Sequence, residues 1–156
     1  MRDSYVADVG DFGKYALLNA LAGNDLRLGV LWCRNILEET FSDGRFTQYD
    51  ELKACDPTLH GKLLKLLKGN HRTMAQVEKA GILPQTTLFY GDVIPAPMTP
   101  CLSPARREVQ AQLRTAWFEQ GFERLSDAQL VFLDPDTGLA GSASEDMKSA
   151  ARSISS

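Results

Sequence analysis

Three short apolar runs stand apart from the rest of this chain, at 28–33 (LGVLWC), 86–94 (TTLFYGDVI, apolar up to Tyr90-Gly91-Asp92) and 128–133 (AQLVFL). Such runs lack polar alternation and predict strands buried on both faces, as in a parallel sheet. Elsewhere the spacing of apolar residues is helical. Asp11 is placed to cap a helix over 12–21, and Tyr15, Leu17, Leu18 and Leu21 around its circumference predict deep burial before Gly23-Asn24-Asp25 ends it. Asp56-Pro57 is a strong helix start, Leu59, Leu63, Leu66 and Leu67 share one face, and Gly69 is placed to end that helix. A short helix over 73–79 is broken by Gly81-Ile82-Leu83-Pro84. Ser103-Pro104 starts another, in which Val109, Leu113, Ala116 and Trp117 form the expected buried face. The segments 34–49, with a turn signal at Ser42-Asp43-Gly44-Arg45, and 95–103, with three prolines, read as loops.

The order helix, strand, helix, helix, strand, helix, strand predicts an α/β fold: a small or truncated Rossmann-like domain over 1–144 with a mainly parallel sheet and crossover helices. A polar, serine-rich tail at 145–156 follows. Three strands make a thin sheet, and a doubly wound domain normally continues with further strand-helix units. Shortening of a longer plan is the favoured reading of the tail, with a native or non-native terminus left open.

Composition narrows the picture modestly. At 156 residues, 44% hydrophobic and 24% charged, the chain has the make-up of one ordinary globular domain. No run reaches membrane-spanning length and no secretory signal opens the chain, so a cytoplasmic protein without a membrane partner is expected. A formal net charge of -3 argues against a broad phosphate-gripping surface. It leaves room for a local strip, and Lys62, Lys65, Lys68 and Arg72, with His71, supply one on the second helix. That strip serves either a nucleic acid or nothing beyond solvation. Cys33, Cys55 and Cys101 form no CxxC, and His60 and His71 are the only histidines, so no structural zinc site is expected and the thiols read as free.

The chemistry concentrates where the third run stops on Asp134-Pro135-Asp136-Thr137-Gly138. In open α/β sheets ligands bind at the carboxyl ends of strands. Two carboxylates two residues apart can hold a cation, divide acid and base roles, or accept hydrogen bonds from a ligand amine, although the same five residues also make a good turn. Asp92 ends the preceding run and shares a crevice with Asp134 if the two strands are parallel neighbours. Asp8, Gly10, Asp11 and Gly13 either reach the same rim or simply cap the first helix.

Two stretches carry a resemblance. YVADVGDFGKYALL at 5–18 and FLDPDTGL at 132–139 resemble a family of uncharacterised bacterial proteins with a DVGDFGKY-type start and a DPDNG-type loop, whose members run on past that loop. More distantly, the layout is similar to adenine-N6 methyltransferases acting on ribosomal RNA or DNA. That similarity implies Asp134 and the Pro135 carbonyl at the target amine, Asp136 in the same loop, and Asp92, Asp11 and Gly13 toward the cofactor. It departs at Asp136, which replaces a second proline, at Thr137, which replaces the stacking aromatic, and at Trp32-Cys33-Arg34-Asn35, which lacks a glycine-rich turn. The loop is also similar to the DxDGT pattern of haloacid-dehalogenase-like phosphatases, with threonine and glycine exchanged. Three functions are therefore open: a methyltransferase-like domain binding or modifying nucleic acid, a metal-dependent hydrolase or phosphoryl-transfer enzyme using Asp134 and Asp136, and a non-catalytic remnant. S-adenosylmethionine and Mg²⁺ are the cofactors to test; oligomeric state is not readable.

Overall fold

The computed structural model describes residues 2–23, 25–34, 44–69, 72–95 and 103–135. Among them run α1 (Val9–Ala22), β1 (Leu28–Trp32), α2 (Pro57–Lys68), α3 (Met74–Lys79), β2 (Leu88–Tyr90), α4 (Pro104–Arg124) and β3 (Leu130–Asp134), with short 3₁₀ turns at Asp3–Tyr5 and Asp50–Ala54. The strands form one sheet in the order β2-β1-β3, parallel throughout, with Gly29 opposite Leu88 on one side and Val131 on the other. This is the expected α/β, Rossmann-like arrangement on a small scale. No helix among the described residues is long and apolar enough to cross a membrane.

The central strand is β1, and all five of its residues are buried, whereas Leu130 to Leu133 of β3 are only half-buried, β3 being an outer strand among the described residues. Alternation along the strands separates two faces. Leu28, Val30 and Trp32, with Phe89, Leu130 and Phe132, pack beneath Phe12, Tyr15 and Leu18 of α1, Leu59, Leu63 and Leu66 of α2, and Met74 and Val77 of α3. Leu31 and Cys33, with Leu88, Val131 and Leu133, meet Trp117 of α4 and Leu125 just beyond it.

Local chemistry explains the helix boundaries. Asp56 accepts from the Leu59 amide at 2.9 Å ahead of Pro57, as expected, and Thr73 stands just before α3 as its cap, its hydroxyl accepting from the Gln76 amide. Helix α1 departs from expectation. It begins at Val9, and the cap is Asp8, whose carboxylate accepts from the Asp11 amide at 3.0 Å. Tyr15 and Leu18 are buried, but Leu17 faces solvent.

Helix α4 departs further. Val109 is 56% exposed, Leu113 is 51% exposed and Ala116 is exposed, so of the expected face only Trp117 is buried. The inward face instead runs through Gln110, Arg114, Trp117 and Gly121. Gly121 decides this: a Cβ there would stand 2.8 Å from Leu31 Cδ1 and 3.0 Å from Tyr90 Cδ1, so only glycine lets the helix lie against these side chains. The sequence stripe through Val109 and Leu113 faces no layer among the described residues.

Candidate ligand site at the carboxyl edge of the sheet

The first helix enters the fold through a fixed N-terminal segment. The Arg72 guanidinium donates to the carbonyls of Val6 (2.7 Å), Ser4 (2.7 Å) and Gly44 (2.9 Å), drawing three pieces of main chain together. Gly44 has φ +59°, and a Cβ there would stand 1.8 Å from the Ser4 carbonyl oxygen. Ala7 follows with φ 61°, a left-handed conformation disfavoured for a residue with a Cβ. Its carbonyl accepts from the Tyr49 hydroxyl at 3.2 Å, and its amide donates to Asp11 Oδ2 at 3.0 Å. The strain at Ala7 is thus held by two side-chain hydrogen bonds.

Asp11 is the buried hub of this segment. Besides Ala7 N, its Oδ2 accepts from the Tyr15 hydroxyl at 3.1 Å, while Lys14 Nζ lies 3.3 Å from its Oδ1. Burial pushes the Asp11 carboxyl up to about 6, against the opposing pull of Lys14 and the Ala7 hydrogen bond. The other partner of Lys14 is Asp134, the last residue of β3, whose Oδ1 accepts from Nζ at 2.9 Å. Burial works to lower the Lys14 ammonium, but the hydrogen bond and charge of Asp134, together with Asp11, outweigh it and raise it above its ordinary value. A lysine one-third exposed therefore joins two buried carboxylates that lie 123 positions apart in sequence.

Both sequence readings of the N-terminal aspartates are realised, by different residues: Asp8 caps, and Asp11 reaches the rim. Gly13 lies on the exposed side of α1 beside Lys14, and a Cβ there would meet nothing within 4 Å, so packing does not require glycine at that position. Pro135 follows Asp134 and is half-buried, whereas Asp136 lies outside the described residues.

Asp92 does end up on the same rim, but β1 intervenes between its strand and β3. It also belongs to the opposite face of the sheet. Asp92 lines a groove of about 560 Å³ with Gln120, Glu123 and Arg124 of α4, and its carbonyl accepts from Trp117 Nε1 at 3.0 Å. Asp134 turns toward α1. Strand alternation and the central strand together separate the two carboxylates that the sequence placed in one crevice.

The basic strip of α2 is corrected as well. Lys62 Nζ donates to the Gly81 carbonyl, and Arg72 is consumed by the N-terminal clamp, leaving Lys65 and Lys68 as its exposed described members. His71 lies outside the described residues, as does Cys101. Cys33, at the end of β1, is buried, and burial pushes its thiol up to about 11, so it is a poor nucleophile. No group of three or more metal-ligating side chains occurs among the described residues.

The strand order makes this edge the place where a ligand crevice is expected. The chain leaves β1 to form β2 on one side and returns to form β3 on the other, so the direction of winding reverses between β1 and β3. Crossovers diverge at such a point and leave a crevice above the strand ends. Asp134 sits there, opposite Trp32 in register and next to Cys33. Sequence reasoning missed Lys14 as the residue joining the cluster; the signal available was a lysine three positions after Asp11 on the same helical side. Comparison with family models, with curated proteins and with solved structures finds no match for this chain.

Proposed function

We propose that the chain is a methyltransferase-like domain that receives an amine-bearing base of a nucleic acid at Asp134 and the Pro135 carbonyl. The observation that carries this reading is the hydrogen bond from the Lys14 ammonium to Asp134 Oδ1, in which a buried carboxylate at the switch point acts as an acceptor for a nitrogen donor. A target amine approaching the crevice meets the same acceptor chemistry. The cofactor side fits less well. Pairing continues past β1 through a bridge between Arg34 and Val93, with Ile94 N donating to the Arg34 carbonyl at 2.9 Å, so the main chain there is engaged rather than bare for close approach.

Thermal denaturation with S-adenosylmethionine, with magnesium and with neither tests the reading. At a hundredfold excess over its Kd a ligand adds about 2.7 kcal/mol to stability, which reads as a rise of several degrees. A rise with S-adenosylmethionine that Asp134→Ala abolishes is the expected result. A rise with magnesium alone, lost in Asp136→Ala, would replace this reading with the metal-dependent hydrolase. Indifference to both would leave the non-catalytic remnant.

A further inference from the structure

Helix α4 is longer than the sheet it covers. Its contacts follow the strands in order: Leu125 beyond its end lies against Gly29, Gly121 against Leu31 and Tyr90, Trp117 reaches the Asp92 carbonyl, and Arg114 Nε donates to the Pro95 carbonyl at 3.2 Å. Pro95 is already past the carboxyl edge. The ten residues of α4 before Arg114 therefore continue for about 15 Å beyond the rim, and all of them but the half-buried Gln110 are exposed.

The helix changes character at the point where it clears the sheet. Counting back from Gly121 and Trp117 at helical spacing, the inward side runs through Arg114, Gln110, Arg107 and Arg106. An apolar inward face becomes a basic one. The projecting segment and Arg114 hold three arginines against one acid, Glu108, in a chain whose formal net charge is -3. Arginine presents planar, always-charged donors suited to phosphate oxygens. Among the described residues the carboxyl edge thus has the Asp11, Lys14 and Asp134 cluster on its α1 face and this arginine face on its α4 face.

We propose that Arg106, Arg107 and Arg114 of the projecting half of α4 form a phosphate-binding face that holds the backbone of a single-stranded nucleic acid across the carboxyl edge of the sheet. This rests on the nucleic-acid reading above and moves its electrostatic contact from α2 to α4. Phosphate contacts of this kind fix position and register, and base recognition falls to the groups on the rim.

The test is fluorescence anisotropy of a labelled single-stranded 20-nucleotide RNA against the full chain from 50 to 300 mM salt. The arginine pair changed together, Arg106→Glu with Arg107→Glu, should weaken binding at least tenfold. Removing one arginine–phosphate pair lowers the salt slope by roughly 0.7, so Arg106→Gln with Arg107→Gln should lower it by about 1.4. Lys65→Glu with Lys68→Glu on α2 should leave binding within twofold. Both arginine positions are exposed, and an unchanged melting temperature in each variant confirms that folding is not the cause. If the arginine variants bind RNA as the parent does, or if the α2 variant loses binding instead, the assignment to α4 is wrong while nucleic-acid binding stands. If the parent binds no RNA, both the face and the nucleic-acid substrate fall, and the S-adenosylmethionine experiment still reports separately on the rim. Competition by adenosine triphosphate as strong as competition by unlabelled RNA would point to a free nucleotide and overturn the polynucleotide.

Discussion

The two faces of the sheet are built on different principles. One carries three helices, a large apolar core and a hydrogen-bonded network of Arg72, Tyr49, Tyr15 and Asp11. The other carries, among the described residues, α4, seated by a small cluster around Leu31, Tyr90, Trp117 and Leu125. The first face fixes positions: Asp11 and Lys14 reach the rim because the chain before them is tied at several points. The second face offers extension, because the described contacts between α4 and the sheet run from Leu125 to Arg114 while the helix continues past the rim to Pro104. A rim between them combines a rigid carboxylate cluster with a projecting basic arm.

The largest expected effect breaks the thin face. Trp117 is 5% exposed and packs with Tyr90 at a ring-centroid distance of 5.4 Å. Trp117→Ala should cost about 3–5 kcal/mol, and amide hydrogen exchange should quicken in α4 well before it does in α1 or α2. Uniform quickening across all helices would show that the faces are not independent. On the thick face, Gly44→Ala places a Cβ against the Ser4 carbonyl in a left-handed conformation and should cost about 3 kcal/mol by urea midpoint. Tolerance of that change would mean that the Arg72 clamp does not hold the segment.

A pH series sharpens the contrast further. Because the folded-state pKa of Asp11 is raised, from 3.8 to about 6, the folded protein binds the proton more tightly than the unfolded chain does. The Asp11 contribution therefore destabilises above pH 6 and is relieved as pH falls through 6 toward 4, by about 3 kcal/mol in all. Relative to Asp11→Asn, the parent should gain stability on acidification over that window, and parallel curves for the two would rule out the raised value. At the small end, Val109→Ser should change stability by less than about 0.5 kcal/mol, since its side chain lies outside both cores. A larger loss would show that the projecting half of α4 is packed.

Much of the fold was legible in the sequence for reasons tied to short-range chemistry. Asp56-Pro57, Thr73 and the leucines of α2 act within one or two helical turns, and the apolar runs of β1 and β3 need no partner to be recognised. Asp134 was legible too, since an acid ending a buried strand is a local pattern. What was illegible depends on distant neighbours. In α4 the face through Val109 and Leu113 was read as buried, and the glycine that turns the helix the other way matters only because Leu31 and Tyr90 lie under it. The roles of Arg72 and Lys14 required knowing which main chain and which carboxylate would be brought to them. Asp92 was placed on the correct edge, but a crevice shared with Asp134 required the two strands to be neighbours, and the position of β1 between them is a property of the winding.

That winding also has a consequence in time. Leu28 pairs with Leu130 and Trp32 with Asp134, so each pairing on that side of β1 spans 102 residues, whereas β1 can join β2 as soon as residue 90 is available. A chain emerging from a ribosome therefore carries β1 with one flank unpaired until β3 has been made, and long-range pairings of this kind form slowly. The bond between Lys14 and Asp134 closes only when β3 docks, which makes it a marker for that step: a probe of that bond would report when synthesis has delivered the third strand.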